Sequence, residues 1–224
     1  MTDLYKAWKL LLASGVLGLL ISTLLILGTI YHFAPLLQSR RQQQLRDQKS
    51  ESISRLGGVG IAGSFFIALA LIWWLPAEEE NLDPKFLSNH RLLGMCLGGI
   101  LSWCLGFVDD IIQLKARWKL MGQLAVAFLA FYCGFNFDRL QGPFFQIIDL
   151  GFWSLPLTVL WIVGVMNAIN LIDGLDGLAA GILLSVLSCL GIICWWNGQL
   201  ELLLLILILL GSIFGFWLFN KPPA

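Results

Sequence analysis

Charge is what this sequence has least of. Its 224 residues hold 14 basic and 14 acidic side chains, 12% of the chain, where soluble domains carry about a quarter. The two signs cancel to a net charge of zero, which removes any reason to expect a nucleic-acid partner. Metal-binding and disulfide signatures are missing as well. None of the five cysteines (Cys96, Cys104, Cys133, Cys189 and Cys194) forms a Cys-x-x-Cys pair or a Cys/His cluster. Neither a zinc site nor a disulfide framework is therefore indicated. Each cysteine falls in or beside an apolar run and reads as a small packing residue.

Apolar residues fill the space that charge leaves. They make up 58% of the chain, and the mean hydropathy is +0.82. Seven apolar runs approach the ~17–25 residues that span a bilayer. They lie near 10–33, 56–75, 92–108, 120–135, 155–169, 178–196 and 200–219. The expected architecture is thus an all-α polytopic helical bundle of about seven spans, one integral membrane domain over residues 1–224. The first run follows Lys6 and Lys9, but it is too long for a signal peptide and no small-x-small cleavage site follows it. A membrane helix is the better reading.

Seven spans alternate the connecting loops between two faces. One face collects Arg40, Arg41, Arg46, Lys49, Arg55, Lys115, Arg117, Lys119 and Lys221; the other has Lys6, Lys9, Lys85, Arg91 and Arg139. Basic residues accumulate on the cytoplasmic side, so the richer face is expected inside and the N-terminus outside. Glu78, Glu79, Glu80 and Asp83 form a solvated outer run with no chemistry. Most tryptophans, such as Trp8, Trp73, Trp74, Trp118 and Trp153, stand near span ends, where an amphipathic ring suits the headgroup layer.

The informative residues break the apolar pattern. Asp109 and Asp110 close the third run, and two adjacent carboxylates at a membrane boundary repel each other and lose hydration. They point to a cation or a reacting group, with a solvated helix end as the bland alternative. After the fifth run comes Asn167-Ala168-Ile169-Asn170-Leu171-Ile172-Asp173-Gly174-Leu175-Asp176-Gly177-Leu178. Asn167, Asn170, Asp173 and Asp176 recur every three residues, which on a helical or 3₁₀-like path sets them along one face. The alternative is an ordinary polar exit turn. An all-oxygen ligand set suits Mg²⁺, or Mn²⁺, rather than zinc or copper. Odd-numbered spans end on the inner face, so both clusters are expected there, together with the basic segment ending in the Arg55-Leu56-Gly57-Gly58 turn. Cations for phosphates, carboxylates for a metal and glycines for close approach converge, which indicates a membrane enzyme.

Three ordered motifs carry a family resemblance over Arg55–Ala224: Ser54-Arg55-Leu56-Gly57-Gly58, Gly106-Phe107-Val108-Asp109-Asp110 leading to Lys119 and Gln123, and Asn167 through Gly181. They resemble the polyprenyl-phosphate N-acetylhexosamine-1-phosphate transferases. The first looks like the Pro-Arg-Leu-Gly-Gly form of the N-acetylglucosamine branch. The resemblance implies transfer of a sugar 1-phosphate from a UDP-N-acetylhexosamine, by preference UDP-N-acetylglucosamine, to polyprenyl phosphate in a bacterial inner membrane. UMP would be released, and cell-envelope glycan synthesis would begin from the product. It implies Asn170, Asp173 and Asp110 at the metal, with Asp109, Asp110 and Asp173 serving catalysis. Lys119, Asn167, Asp176, Arg55, Gly57 and Gly58 would hold the substrates, with Asp176 at the uridine and Lys119 at the diphosphate. A homodimer is left open.

Two departures qualify the match. The basic Arg-Lys-x-His stretch and proline of the family read here as Arg46-Asp47-Gln48-Lys49 and Ser54. The Met-Gly-Asp-x-Gly-Ser motif and the later His-rich loop do not occur. The expectation is that the 224-residue polypeptide by itself binds Mg²⁺–UDP-sugar weakly and turns over slowly. A non-catalytic membrane remnant or scaffold is the main rival. A transporter is disfavoured because the acids sit at span ends, and a CDP-alcohol phosphotransferase because Asp-Gly-x-x-Ala-Arg is absent.

Overall fold

The computed structural model describes residues 2–32, 51–74, 90–142, 146–174 and 176–220. The expected basic loop at Arg40–Lys49 and the acidic run at Glu78–Asp83 lie outside the described residues. Among the described residues there are seven α-helices: α1 (Thr2–His32), α2 (Glu51–Trp74), α3 (His90–Ile112), α4 (Ala116–Tyr132), α5 (Ser154–Ile172), α6 (Leu178–Trp196) and α7 (Leu200–Phe219). Six are long and apolar enough to cross a membrane. The protein is an all-α polytopic membrane protein. The remaining helix, α4, has 17 residues, about 25 Å of rise, against a hydrocarbon layer of about 30 Å.

The apolar run that includes α4 continues to Phe135, but the helix stops at Tyr132. Gly134 is the cause. It adopts φ +88°, its N–H bonds Phe131 O at 3.0 Å, and Phe135 N–H bonds Ala130 O at 3.0 Å. This left-handed cap turns the chain out of the helix, a conformation that a side chain at 134 would resist.

The chain forms two compact units. The first contains α1, α2, α6 and α7. Here α7 packs against α1, α2 and α6, and its Leu204 and Ile208 are fully enclosed. Small residues let α1 and α7 approach backbone to backbone. A Cβ on Gly18 would collide with Ile208 O, and one on Gly211 would collide with Gly15 O and come within 2.8 Å of Leu19 N. A polar stitch closes the seam, in which buried Ser22 Oγ donates to Ser212 O at 2.7 Å. Ser14 and Ser212 satisfy their hydroxyls on their own helices, through Leu11 O and Ile208 O, as buried polar groups require.

The second unit, Leu87–Ile172, contains α3, α4 and α5. α3 and α4 form a tight hairpin, with Leu105 packed against Gly122 where a Cβ would have no room. Between α4 and α5 lies a feature the sequence reading did not anticipate. Arg139–Gln141 (β1) pairs antiparallel with Ile147–Asp149 (β2), Arg139 opposite Asp149, followed by a 3₁₀ turn at Gly151–Trp153. Phe137 N–H bonds Thr158 Oγ1 at 3.0 Å, tying the start of this excursion to the first turns of α5. Pro156 lies in that first turn of α5, where a missing N–H costs nothing.

Candidate active site

One polar cluster of the second unit lies at the end where α3 finishes, α4 begins and α5 finishes. Asp109 is in the last turn of α3. Its Oδ1 accepts from Leu114 N–H at 2.9 Å, and its main-chain oxygen accepts from Gln113 N–H at 2.8 Å. These bonds hold a three-residue connection in which Gln113 takes the left-handed conformation (φ +50°), unusual for a residue with a side chain. One aspartate thus shapes the turn that delivers α4.

The other carboxylate oxygen is used by Lys119. Its Nζ lies 2.8 Å from Asp109 Oδ2, and both side chains are about four-fifths shielded, at 23% and 22% exposure. The same Nζ donates to Asn170 Oδ1 at 3.0 Å. Since an ammonium can only donate, the amide must turn its oxygen toward it. The site favours a cation for a second reason. The C-terminal ends of α3 and α5 present partial negative charge, which attracts positive groups. An ammonium has three N–H bonds, and the two contacts leave one of them for a ligand. Asp110, beside Asp109, is exposed and also engaged in an interaction.

One turn deeper, Gln123 and Asn167 join α4 to α5. Gln123 Nε2 donates to Asn167 Oδ1 at 3.2 Å, and Asn167 Nδ2 donates back to Gln123 Oε1 at 2.8 Å. A further bond runs from Asn167 Nδ2 to Val163 O, 2.8 Å. Gln123 is 3% exposed. It is the one amide of α4, and its isolation in an apolar run was the available signal; the sequence reading placed it in the second motif but gave it no role.

Residues 92–224 match a family model described as glycosyl transferase family 4. The chain belongs to glycosyl transferase family 4. A Bacillus subtilis protein named "Probable undecaprenyl-phosphate N-acetylglucosaminyl 1-phosphate transferase" is 34% identical over 206 residues, covering 92% of this chain and 54% of that protein. A Listeria welshimeri protein named phospho-N-acetylmuramoyl-pentapeptide-transferase is 31% identical over 196 residues, 81% of this chain and 59% of its own. A protein of the same name from Halalkalibacterium halodurans is 32% identical over 230 residues, 96% and 68%. The chain spans a little over half the length of the first two.

Other residues that the family resemblance singled out fall in the first unit, and there the structure differs from the sequence reading in two ways. Asn167 and Asn170 do lie on consecutive turns of α5, but the helix ends at Ile172. Asp173-Gly174 and Asp176-Gly177 are turns, so a single continuous path does not carry all four polar residues. Gly177 takes φ +72° as the residue before α6 and packs against Trp217 and Asn220 O. Asp173 and Asp176 are both exposed. The neighbouring chain still removes enough water from Asp173 to hold its carboxyl above the usual aspartate value.

The second difference is at Arg55-Leu56-Gly57-Gly58. In place of a turn, this segment continues as helix within α2. Gly57 is buried because the Phe216 ring occupies the space its Cβ would need, while Gly58 faces open space. Gly57 has a packing reason to be glycine.

For a glycosyl transferase family 4 chain the donor chemistry around Lys119 is consistent with a hard cation. Every acceptor there is oxygen, from a carboxylate and an amide, the ligand types that Mg²⁺ takes. Among the described residues no three His, Cys, Asp or Glu side chains form a metal-holding group.

Proposed function

We propose that this protein transfers an N-acetylhexosamine 1-phosphate from a UDP-sugar to polyprenyl phosphate at the cytoplasmic face of a bacterial membrane, feeding cell-envelope glycan synthesis. One observation carries the reading. Lys119 is held by Asp109 and Asn170 with an N–H bond to spare, at the end of the unit where α3 and α5 finish. Phosphoryl transfer needs positioned positive charge more than covalent help.

In this reaction an oxygen of the lipid phosphate attacks the sugar-bearing phosphorus of the donor. The bond from that phosphorus to the bridging oxygen breaks, and the oxygen departs on UMP. Lys119 neutralises the diphosphate. Asp109 fixes Lys119 and the turn that presents it. Asp110 serves the incoming lipid phosphate. Asn170, Asp173 and Asp110 would hold Mg²⁺, which supplies further charge neutralisation when bound. Asp176 would contact the uridine, and Arg55 and Gly58 would face the substrates. N-acetylglucosamine is the preferred sugar, on the Arg55-Leu56-Gly57-Gly58 motif and the naming of the Bacillus subtilis relative.

Membranes containing the chain, given polyprenyl phosphate and UDP-N-acetylglucosamine labelled in the sugar, test the proposal. Label should enter lipid with one UMP released per sugar transferred, and EDTA should stop it. UDP-N-acetylmuramoyl-pentapeptide should be the poorer donor. Label in lipid no higher than with Lys119→Ala membranes would leave only the remnant reading. Reporter fusions after Asp110 and Asp173 check the geometry, since an active centre shared by both requires the same side.

A further inference from the structure

We propose that Gln123 and Asn167 form a positioning clasp that sets the register of α4 against α5, and so brings Lys119 to Asn170. This rests on the transferase reading for its consequence in catalysis, though not for its geometry. The two helices run antiparallel, and the paired residues form two rungs. Lys119 to Gln123 is four residues along α4, and Asn170 to Asn167 is three back along α5, so each pair occupies one helix face. The outer rung is the Lys119–Asn170 bond at 3.0 Å; the inner is the reciprocal amide pair at 2.8 and 3.2 Å.

The inner rung has the properties of a fixture. A one-residue slip of either helix would break both of its bonds and strand the Gln123 amide, which is 3% exposed, among apolar neighbours such as Val126 and Ala127. Asn167 is held at three points. Its Nδ2 has two N–H bonds, one given to Gln123 Oε1 and the other to Val163 O. Neither is left for a substrate. Asn167, expected from the family resemblance at the donor, is placed to hold α5 instead. The ligand-facing groups are on the outer rung, where Lys119 retains an N–H.

The test separates positioning from contact. Gln123→Met and Asn167→Leu keep the side-chain volumes and remove the amides; Asn167 is exposed enough for the second to fold. Both should lower kcat by about tenfold, the scale of a small misplacement at a reacting centre, with KM for the UDP-sugar changed by less than about twofold. The exchange Gln123→Asn with Asn167→Gln should recover most of the loss. A readout independent of activity uses Lys119→Cys with Asn170→Cys after replacing the five native cysteines with alanine. A short bifunctional methanethiosulfonate should bridge the pair readily, and Gln123→Met should slow bridging severalfold. Unchanged bridging in Gln123→Met, or a raised KM confined to Asn167→Leu, would overturn the clasp. If the parent membranes transfer no sugar at all, the transferase reading fails and the bridging rate alone decides the clasp.

Discussion

The two units hold their helices together with a different balance of close packing and polar bonds. In the first, α1 and α7 meet through glycine and serine with backbones almost in contact, and 44% of the α7 span is buried within the chain. In the second, 11% of the α3 span and 6% of the α5 span are buried. There the helices are joined at one end by charge and amide bonds, from Asp109 through Lys119 to Asn170 and from Gln123 to Asn167. The faces of α3 and α5 that remain, including Leu93, Leu97, Leu160 and Trp161, are as apolar as lipid tails. Without a hydrophobic drive between membrane helices, close packing and hydrogen bonds are the two remaining ways to join them. Close packing makes a rigid support but offers no polar atoms to a substrate. Hydrogen bonding puts reactive groups at the surface of the unit at the cost of a sparser interior.

That contrast can be broken at Lys119 with the largest effect. Lys119→Met keeps the stem and removes the charge, leaving Asp109 and Asn170 without their shared donor. Sugar transfer should fall about 10²–10³-fold, as when a single stabilising donor is lost, while thermal unfolding of detergent-solubilised protein moves little. A large loss of folded protein would mean that the second unit depends on this charge for its structure.

The seam of the first unit should respond in the opposite sense, in stability and not in chemistry. Gly211→Ala must push Gly15 O and Leu19 N aside, and overpacking of this kind costs about 1–3 kcal/mol. A Gly28→Ala control, with nothing within 4 Å of the new methyl, should be neutral or slightly stabilising by up to about 1 kcal/mol. Equal unfolding temperatures for the two variants would show that close approach does not hold α1 to α7.

A smaller effect is expected from Ser22→Ala, which deletes a hydrogen bond across that seam. The loss should be about 1 kcal/mol in the same unfolding measurement. The smallest belongs to the hairpin. Arg139 and Asp149 meet at 2.8 Å but are 70% and 75% exposed, and a solvated pair contributes about 0–1 kcal/mol. Arg139→Ala should leave both unfolding and sugar transfer within error, and a clear change in either would give the hairpin a function that its exposure does not suggest.

Much of the candidate site was legible because polar residues inside apolar runs are conspicuous. Asp109, Asn167 and Asn170 stood out against their apolar runs, Lys119 entered only through the family resemblance, and all four belong to the two rungs or their support. Gln123 passed without a role because a lone amide in a run has no visible partner until α5 is folded against α4. The spacing of Asn167, Asn170, Asp173 and Asp176 suggested one path, but the helix ends at Ile172, and Gly177, in the left-handed conformation, starts the next one. The pair Gly57-Gly58 suggested a turn, yet helix propensity costs about 1 kcal/mol per glycine, and the packing of Phe216 on Gly57 is available only if α2 continues through it.

Composition alone determined that this chain lives in lipid, because 58% apolar residues in long runs cannot be enclosed by so few polar ones, and every backbone group in such runs must be satisfied within a helix. The tertiary structure decided which oxygen faces which donor. Asn170 turned its carbonyl to Lys119, and Asn167 spent both N–H bonds on Gln123 and Val163. Hydrogen bonds between side chains depend on directions and distances of a few tenths of an ångström, and those are set only when one helix meets another.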